Sequence, residues 1–584
     1  MSGQRLIVLK FGGSVLTDEH ALRGAVHEIY RWRRDGYGVV AVVSALAGVT
    51  DSLFGTCARL SERPGPSAIA AIVSSGELQS AALLGLHLDR VGIPASVLSP
   101  SAVRMVAQGP PLDATPDKMC TRSVRRALER DGVVVVAGYV AEDAHGRAVV
   151  LGRGGSDLTA LFLAHGLGAD RCRLIKDVDG LYDRDPASPG PPARRFAVAR
   201  WADALATDGS IVQHKAVRFA QQHGIEFELS GLNSRDVTEI GCGPTVMCES
   251  VRKSRRPRIA LVGLGTVGAG VYQLLGQLDS LVELACVAVR DTSKPRGLDV
   301  PDALLTDDAL QAARSDADLF IEVMGGVAEA GDVVETALRS GMHVVTANKS
   351  LIAARGRPLV KLARANGCLL RSSAAVGGSM PLLERLRGRT AGDVRSIRAI
   401  LNGTTNFILD CIARGDTFAE AVRQAQERGF AEADPSRDLD GRDAADKLCL
   451  VSAAVGLTGL TPEVVYREPL SAGTIAARRK AVSDGGVVRH VATLRCDGHE
   501  PVAEVCLHTL DRDDILAGVQ AEHNAAVIEA ANGTAEVVRG RGAGRCPTAE
   551  AVVADVLEIA RVTAAQSGDA DDAGTGFIRE RSCA

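Results

Sequence analysis

Nineteen residues, "GFAEADPSRDLDGRDAADK" (429–447), carry six carboxylates and close on the single ammonium of Lys447. Asp443 and Lys447 stand four apart on a helix expected to begin near Gly441, so they share a face. On an open surface such a pair contributes only about 0.2–0.5 kcal/mol. The sharper alternative is a substrate pocket loaded with these charges. A second group lies in "VLKFGGSVL", where Lys10 precedes Gly12 and Gly13 at a strand-to-helix turn. Glycines there expose backbone N–H groups to a phosphate, and the helix start adds a favourable dipole. The stretch is not GxxxxGK[ST], so it is no P-loop, and alone it equally suits an ordinary strand–turn–helix. A third group, "RIALVGLGTVGAGVYQLLGQL", places Gly263, Gly265 and Gly268 as G-x-G-x-x-G. An apolar strand precedes it, and an amphipathic helix opens after it with Thr266 and Val267. That context marks a dinucleotide turn.

Further stretches add polar groups of the same kinds. "VVSALAGVTDSL" (42–53) ends a strand in small and hydroxyl residues, Thr50 among them, leaving room for a small ligand. "SSGELQS" (74–80) puts Glu77 at an expected helix start, as a capping carboxylate or as a ligand for an amino group. "GRGGSDLTALFLA" (152–164) sets Arg153 and Asp157 on either side of a Gly-Gly turn that opens a helix, where Asp157 also suits a plain cap. "IKDVDGLYDRDP" (175–186) has acidic spacing but lacks the Gly and Glu of a calcium loop. In "LACVAVRDTSK" the strand ends in Arg290 where an NAD site places an acid. A guanidinium there favours the 2′-phosphate of NADP, while the neighbouring Asp291 keeps NAD open. "GMHVVTANKSLIA" brings Lys349 to the C-terminal end of a strand, where ligands gather in such folds.

The elements that must hold these groups follow from length and periodicity. A chain of 584 residues is too long for one core and suggests about three or four domains at ~150 residues each. Hydrophobic residues make up 46%, a packed globular composition, and 3% aromatics with 62 Gly suit α/β architecture with close helix–strand packing. In the first half, buried strands ("VLKFGGSV", "YGVVAVVSA", "VVVVAGYV", "CRLIKDV") alternate with helical stretches, the pattern of a mostly parallel sheet with helices on both faces. A net charge of −4 gives no field that favours nucleic acid. Thirteen Cys without zinc spacing read as reduced cytosolic thiols. The apolar run before Lys10 is too short for a signal segment. "VVVVAGYVA" (133–141), read as the longest apolar stretch, falls far below the ~20 residues of a bilayer span. A cytoplasmic protein without a membrane partner is expected.

In their order and spacing, "KFGG", "SALAGVTDSL", "SSGE" and "RGGSDLTA" resemble the amino-acid kinase family, and within it the aspartate kinases, over roughly residues 5–245. The resemblance implies ATP-dependent phosphorylation of the side-chain carboxylate of L-aspartate. Lys10 would neutralise the moving phosphoryl group, with Gly12 and Gly13 beside it, and Asp157 would organise the lysine and Mg²⁺ site. Asp177, Tyr182 and Arg184 would surround ATP; Arg153 would clamp a substrate carboxylate and Glu77 the α-ammonium. One departure stands out: Ser210, in "GSIVQHKAV", occupies the place of the family's second phosphate lysine, with Lys215 five residues on. Losing one preorganised cation costs on the order of 10²- to 10³-fold in rate.

The acidic stretch is similar, position by position, to the signature of homoserine dehydrogenases: Ala425, Gly429, Phe430, Asp434-Pro435, Asp438, Gly441, Asp443 and Lys447. "AAVGGSMPLL" (374–383), "LNGTTNFIL" (401–409) and "GRGAGRCPTAEAVVADVL" (540–557) follow the same family in order, with Gly544 in the last of these placed at the cofactor. The resemblance implies reduction of L-aspartate 4-semialdehyde to L-homoserine. Lys447 would donate a proton to the developing alkoxide and Asp443 would orient it. Glu432 and Asp438 would hold polar groups of the substrate, and Lys349 would be a second cation nearby. In relatives a neighbouring loop binds a monovalent cation partly through carbonyls, here those of Val376 and Gly378. The family's glutamate there is Ser373 and a third glycine is Ser379, which removes a carboxylate from that site.

Together the halves resemble the bifunctional aspartokinase/homoserine dehydrogenases. The expected fold is an amino-acid kinase-like α/β/α sandwich (1–248), a basic linker (249–256), a Rossmann NADP-binding domain (257–375), an α+β catalytic domain (376–535), a return to the dinucleotide domain (536–566) and a poorly ordered tail (567–584). No space remains between the halves for a regulatory ACT domain of ~70 residues, so no response to threonine or lysine through such domains is expected. A homo-oligomer, dimer or tetramer, is expected from the resemblance. The rival readings are a working dehydrogenase on an inactive kinase-like scaffold, and a kinase for a different small acid.

Overall fold

The computed structural model describes residues 5–248 and 255–569, apart from positions 187, 190, 192, 235, 280, 458, 481–485, 497–500 and 543. Most of the basic linker and all of the chain beyond residue 569 lie outside the described residues. The chain forms two compact units, Met1–Arg252 and Lys253–Ala584.

The first unit is built on a nine-stranded sheet. Its centre is the parallel run Arg171–Lys176, Leu6–Phe11, Gly38–Val43 and Val133–Ala137. These strands are nearly all buried and rich in Val, Ile and Leu, as strands covered on both faces must be. Phe227–Gly231 continues the sheet in parallel beside Arg171–Lys176, and Val237–Gly241 turns back antiparallel against it. Two helix positions matter for the site. Gly154, at φ +73°, caps the Gly155–Leu167 helix, and a second helix runs Pro66–Arg90 without a break.

That second helix corrects two readings of the sequence. Glu77 sits in the middle of twenty-five helical residues, not at a helix start, because Pro66 after Gly65 supplies the N-terminal signal eleven residues earlier. The same helix, not residues 133–141, is the one among the described helices long and apolar enough by composition to cross a membrane. It packs as a core helix, burying Ala70, Val73, Ala81, Leu84 and Leu88. The 133–141 stretch is divided instead: the Val133–Ala137 strand ends, and Tyr139 at φ +66° turns the chain into the Val140–Glu142 strand.

The second unit holds two six-stranded sheets. One is parallel throughout, ordered Leu305–Thr306, Glu283–Ala288, Arg258–Val262, Leu319–Glu322, His343–Thr346, Leu370–Arg371, with the glycine turn at the end of its third strand. The Arg545–Asp569 helix returns to this layer, and Ala549, Val552, Val553 and Val556 share a core with Ile259, Leu261, Val271 and Ile321. The other sheet is antiparallel around Val394–Ile400, flanked by Val487–Arg495 and His523–Ala530. The Arg442–Ala454 helix packs on it, burying Ala445, Leu448 and Val451 in a core with Ile397, Leu494 and Ile528.

Candidate active sites

In the first unit the Lys10 side chain leaves the central strand and ends 2.7 Å from Asp157 Oδ1. Lys176, at the end of the adjacent parallel strand, reaches the other oxygen of the same carboxylate at 2.8 Å. Lys10, Asp157 and Lys176 are all buried. Asp157 lies in the first helical turn but makes no cap; its carboxylate faces the two ammonium groups. Burial works to raise its pKa, yet the charges and hydrogen bonds of Lys10 and Lys176 outweigh that and hold it at about 2. Burial pushes Lys176 down to about 8, against the pull of Asp157. A side chain at Gly12 would come within 3.2 Å of Lys10 Nζ, and one at Gly13 within 3.1 Å of the Ala45 carbonyl, so the turn stays bare beside the ammonium.

Glu77 is buried near this pair, and desolvation raises its carboxyl to about 8 despite a hydrogen bond from the Ala45 backbone and the charge of Lys10. Its Oε2 finds no hydrogen-bond partner among the described residues. Arg153 is exposed at the rim of the Gly152–Gly154 turn, and Thr50 is the second residue of the Val49–Leu60 helix. In the following loop Ser14 Oγ donates to Asp177 Oδ1 (3.0 Å), and Tyr182 donates to Asp179 (2.7 Å); Arg184 lies 3.9 Å from Asp183. Ser210 is exposed, its N–H turned to Asp208. Lys215 is occupied elsewhere, donating to Asp113 Oδ1 (2.6 Å) and to the carbonyls of Ala114 and Leu151. Lys176 escaped sequence reasoning because strand periodicity reads it only as a strand end; its neighbour Asp177 drew the eye instead.

In the second unit, Asp443 holds two lysines. Its Oδ2 is 2.7 Å from Lys447 Nζ, and its Oδ1 accepts from Lys349. Gly441, at φ +75°, caps the helix, which places Asp443 and Lys447 on one inward face. Both are buried. Lys447 also donates to the Leu401 carbonyl (2.7 Å). Asn402 completes the group: Nδ2 donates to Asp443 Oδ2 (2.9 Å) and Asp438 Oδ1 (2.7 Å), while Oδ1 caps the Gly403–Arg414 helix at Thr405 N–H. Burial works to raise Asp443, but Lys447 and Lys349 together hold it well below the ordinary carboxylate value. Asp438 moves the other way: desolvation raises it, and Asn402 and the lysines only partly offset this. Burial works to lower Lys349, but Asp443 raises it above the usual lysine value. Glu432, by contrast, is exposed and is not drawn into this group; among the described residues its backbone carbonyl accepts from Gln426. Asn402 was legible as a helix cap ahead of "GTTN", but nothing in one sequence shows that a cap also bridges two acids.

The support behind Lys349 is a fully buried carboxylate, Glu322, which accepts from the N–H groups of Met324 and Gly325 and from Thr346 Oγ1. Asn348 donates to the Gly326 carbonyl (2.6 Å) and caps the Lys349–Ala365 helix. The glycine turn suits a dinucleotide. Gly263 has φ +100° and lies against the Val323 carbonyl; a Cβ on Gly268 would strike Gly263 O at 2.1 Å. Gly265 faces open space at the start of the Thr266–Leu275 helix, so backbone N–H groups, including those of Thr266 and Val267, are accessible to a pyrophosphate. Gly544, at φ +130°, leads into the C-terminal helix, whose Ala549 packs on Gly270. Arg290 is exposed just past its strand, whereas Asp291 spends its Oδ1 on Ser293 N–H and Oγ.

At the loop that carries Val376 and Gly378, Ser373 does not leave a gap. Its N–H and Oγ donate to the two oxygens of buried Asp555 (3.0 and 2.8 Å) on the C-terminal helix. Val376 is buried, and Gly378 abuts the carbonyls of Arg541 and Gly542. Among the described residues no group of three or more His, Cys, Asp or Glu side chains is arranged for a metal ion.

Comparison with known proteins matches three family models to the chain: amino acid kinase family at 5–228, homoserine dehydrogenase NAD binding domain at 263–372, and homoserine dehydrogenase at 381–557. A homoserine dehydrogenase of Corynebacterium glutamicum is 38% identical over 319 residues, 52% of this chain and 72% of the relative. One from Bacillus subtilis is 34% identical over 313 residues, covering 52% and 72%. The crystal structure of a homoserine dehydrogenase from Thiobacillus denitrificans aligns with a TM-score of 0.50 and 32% identity, over 54% of this chain and 75% of that one.

Proposed function

Since the chain belongs to the homoserine dehydrogenase family and carries an amino acid kinase domain ahead of it, we propose that it is a bifunctional aspartokinase/homoserine dehydrogenase. The reading is supported by one observation repeated in both units: a buried carboxylate gripping two lysines, Asp157 in the first and Asp443 in the second. Each carboxylate sets two ammonium groups where a substrate develops negative charge, on a phosphoryl group or on an alkoxide.

In the second unit, a nicotinamide dinucleotide held along Gly263–Gly268 would supply hydride. Lys447 holds its proton at Nζ between Asp443 and the Leu401 carbonyl and passes it to the oxygen of an aldehyde as charge builds there. Asp443 aims that ammonium, and Lys349 stands across the same carboxylate as the second cation. Asp438, beside Asn402, faces the polar groups of the amino-acid substrate. Arg290, exposed just past its strand, favours a 2′-phosphate and hence NADP over NAD.

In the first unit ATP is the co-substrate. Lys10 neutralises the transferred phosphoryl group and Asp157 fixes the ammonium; Mg²⁺ arriving with the nucleotide would supply further neutralisation of phosphate charge. Glu77, neutral when the site is empty of an ammonium, ionises against the α-ammonium of L-aspartate, and exposed Arg153 is available to a substrate carboxylate. One observation favours a second reading, in which the kinase half is weak: Ser210 offers no cation, and Lys215 is already bound to three acceptors. Purified protein assayed for ATP-dependent aspartyl hydroxamate formation and for NADPH oxidation by aspartate semialdehyde tests both halves. Activity in both sustains the proposal; oxidation without hydroxamate leaves the second reading.

A further inference from the structure

Lys10, Asp157 and Lys176 bury three charges, two positive and one negative, with exposures of 5, 3 and 9%. The remaining buried acid nearby, Glu77, contributes no compensating charge near neutral pH, because desolvation keeps its carboxyl protonated up to about 8. Asp177, at the mouth, is exposed and takes a hydrogen bond from Ser14. A buried cluster left with a net positive charge is unfavourable unless an anion completes it. An ammonium has three donors. Lys176 directs its hydrogen bonds to the single Asp157 carboxylate, at 3.0 and 2.8 Å, and no other acceptor for it is found among the described residues. The two lysines come from neighbouring parallel strands, so their ammonium groups flank one carboxylate, and Lys10 Nζ lies beside the bare Gly12–Gly13 turn.

We propose that Lys176 is a catalytic residue of phosphoryl transfer: it presents to the nucleotide phosphates the second ammonium that Ser210 does not supply, with Asp157 as the shared counterion of Lys176 and Lys10. The inference rests on the kinase reading of the first unit. It assigns to the end of the Arg171–Lys176 strand a task otherwise expected of the exposed loop at 210, and it leaves Lys215 as a tie between the Asp113 and Leu151 segments. Atoms balance as in any kinase: the γ-phosphoryl passes from ADP oxygen to the aspartate carboxylate oxygen, and neither lysine changes its covalent state.

The test compares wild type, Lys176→Thr, Lys176→Arg and the double variant Lys176→Thr/Ser210→Lys in the full chain. Hydroxamate turnover is read together with calorimetric binding of ATP and of adenosine. Lys176→Thr is expected to lose on the order of 10²- to 10³-fold in kcat and at least about tenfold in preference for ATP over adenosine, worth about 1.4 kcal/mol, with adenosine binding unchanged. Lys176→Arg, which keeps the charge, is expected to recover most of the ATP preference, and Ser210→Lys to recover part of the turnover. Dehydrogenase turnover serves as the control that the chain is intact. A Lys176→Thr enzyme within twofold of wild type in both readouts overturns the proposal while the kinase reading stands. A wild-type enzyme that neither binds ATP nor forms hydroxamate overturns the kinase reading itself. Should Lys176→Thr not fold, Lys176→Gln is read by the same criteria.

Discussion

Asp443 Oδ2 lies 2.7 Å from Lys447 Nζ, one helical turn away, and its other oxygen accepts from Lys349 on a different helix. The i,i+4 pair that would be a weak surface ion pair is thereby buried at the centre of a three-charge cluster whose third member, Lys349, is half-exposed. Truncating Lys447 to Ala is expected to remove on the order of 10²- to 10⁴-fold of aldehyde reduction. NADPH affinity should move by less than about threefold, since the glycine turn is built from other elements. Steady-state turnover together with NADPH fluorescence titration checks both halves of this expectation; an unchanged turnover number refutes the role.

Asp443→Asn leaves two ammonium groups facing a neutral amide. Breaking a buried pair in this way costs roughly 3–5 kcal/mol. Asp443 ionises in the folded chain below its ordinary 3.8, so its contribution is complete above about pH 4 and disappears as pH falls through the folded value. The gap between wild type and Asp443→Asn should therefore be full at pH 7 and shrink below pH 4. Hydrogen exchange along the Arg442–Ala454 helix reads it directly. A gap independent of pH down to the acid transition contradicts the assignment.

Glu77 runs with the opposite sign. Its carboxyl ionises at about 8 in the folded chain against 4.5 ordinarily, so the folded state retains a proton that the unfolded state releases. Stability of the first unit should fall as pH rises from 4.5 toward 8, and Glu77→Gln should remove that slope. Pairing with a substrate ammonium must expel the proton, so aspartate binding at pH 7 should release protons. Calorimetry in two buffers of different ionisation enthalpy measures this; equal heats in both would exclude Glu77 as the ammonium ligand.

Arg290→Ala is expected to raise the KM for NADPH on the order of tenfold while changing that for NADH less than about twofold, because only NADPH carries the extra phosphate. Parallel kinetics with the two cofactors decide it. Equal losses with both would assign Arg290 a structural task.

The two-layer plan and the clusters were legible to different depths. The glycine turn was legible because strand, glycines and helix each impose a local pattern, and Gly263 at φ +100° with Gly268 against its carbonyl shows why those positions tolerate no side chain. Asp443 and Lys447 were legible because helical spacing places them together. Lys176, Asn402 and Glu322 were not, because each is defined by partners 19 to 41 residues away that only sheet registry and helix packing bring near. For Glu77 the local "SSGE" pattern suggests a helix start, with a cap or an ammonium ligand equally open, because nothing at that position reveals the stronger start at Pro66. Asp555 illustrates the limit: Ser373 read as the loss of a carboxylate, while an acid 182 residues later in the chain supplies one to the same loop.

The Arg545–Asp569 helix has a consequence for how the molecule comes into being. Its apolar face fills the same core as Ile259 and Leu261, and Asp555 holds the backbone at Ser373. The nucleotide layer therefore stays open-sided while the ribosome makes the intervening catalytic sheet, and it closes only when the Arg545–Asp569 helix, which begins 174 residues beyond Arg371, has emerged. A fragment cut after residue 375 would leave that apolar surface bare and should aggregate rather than bind cofactor.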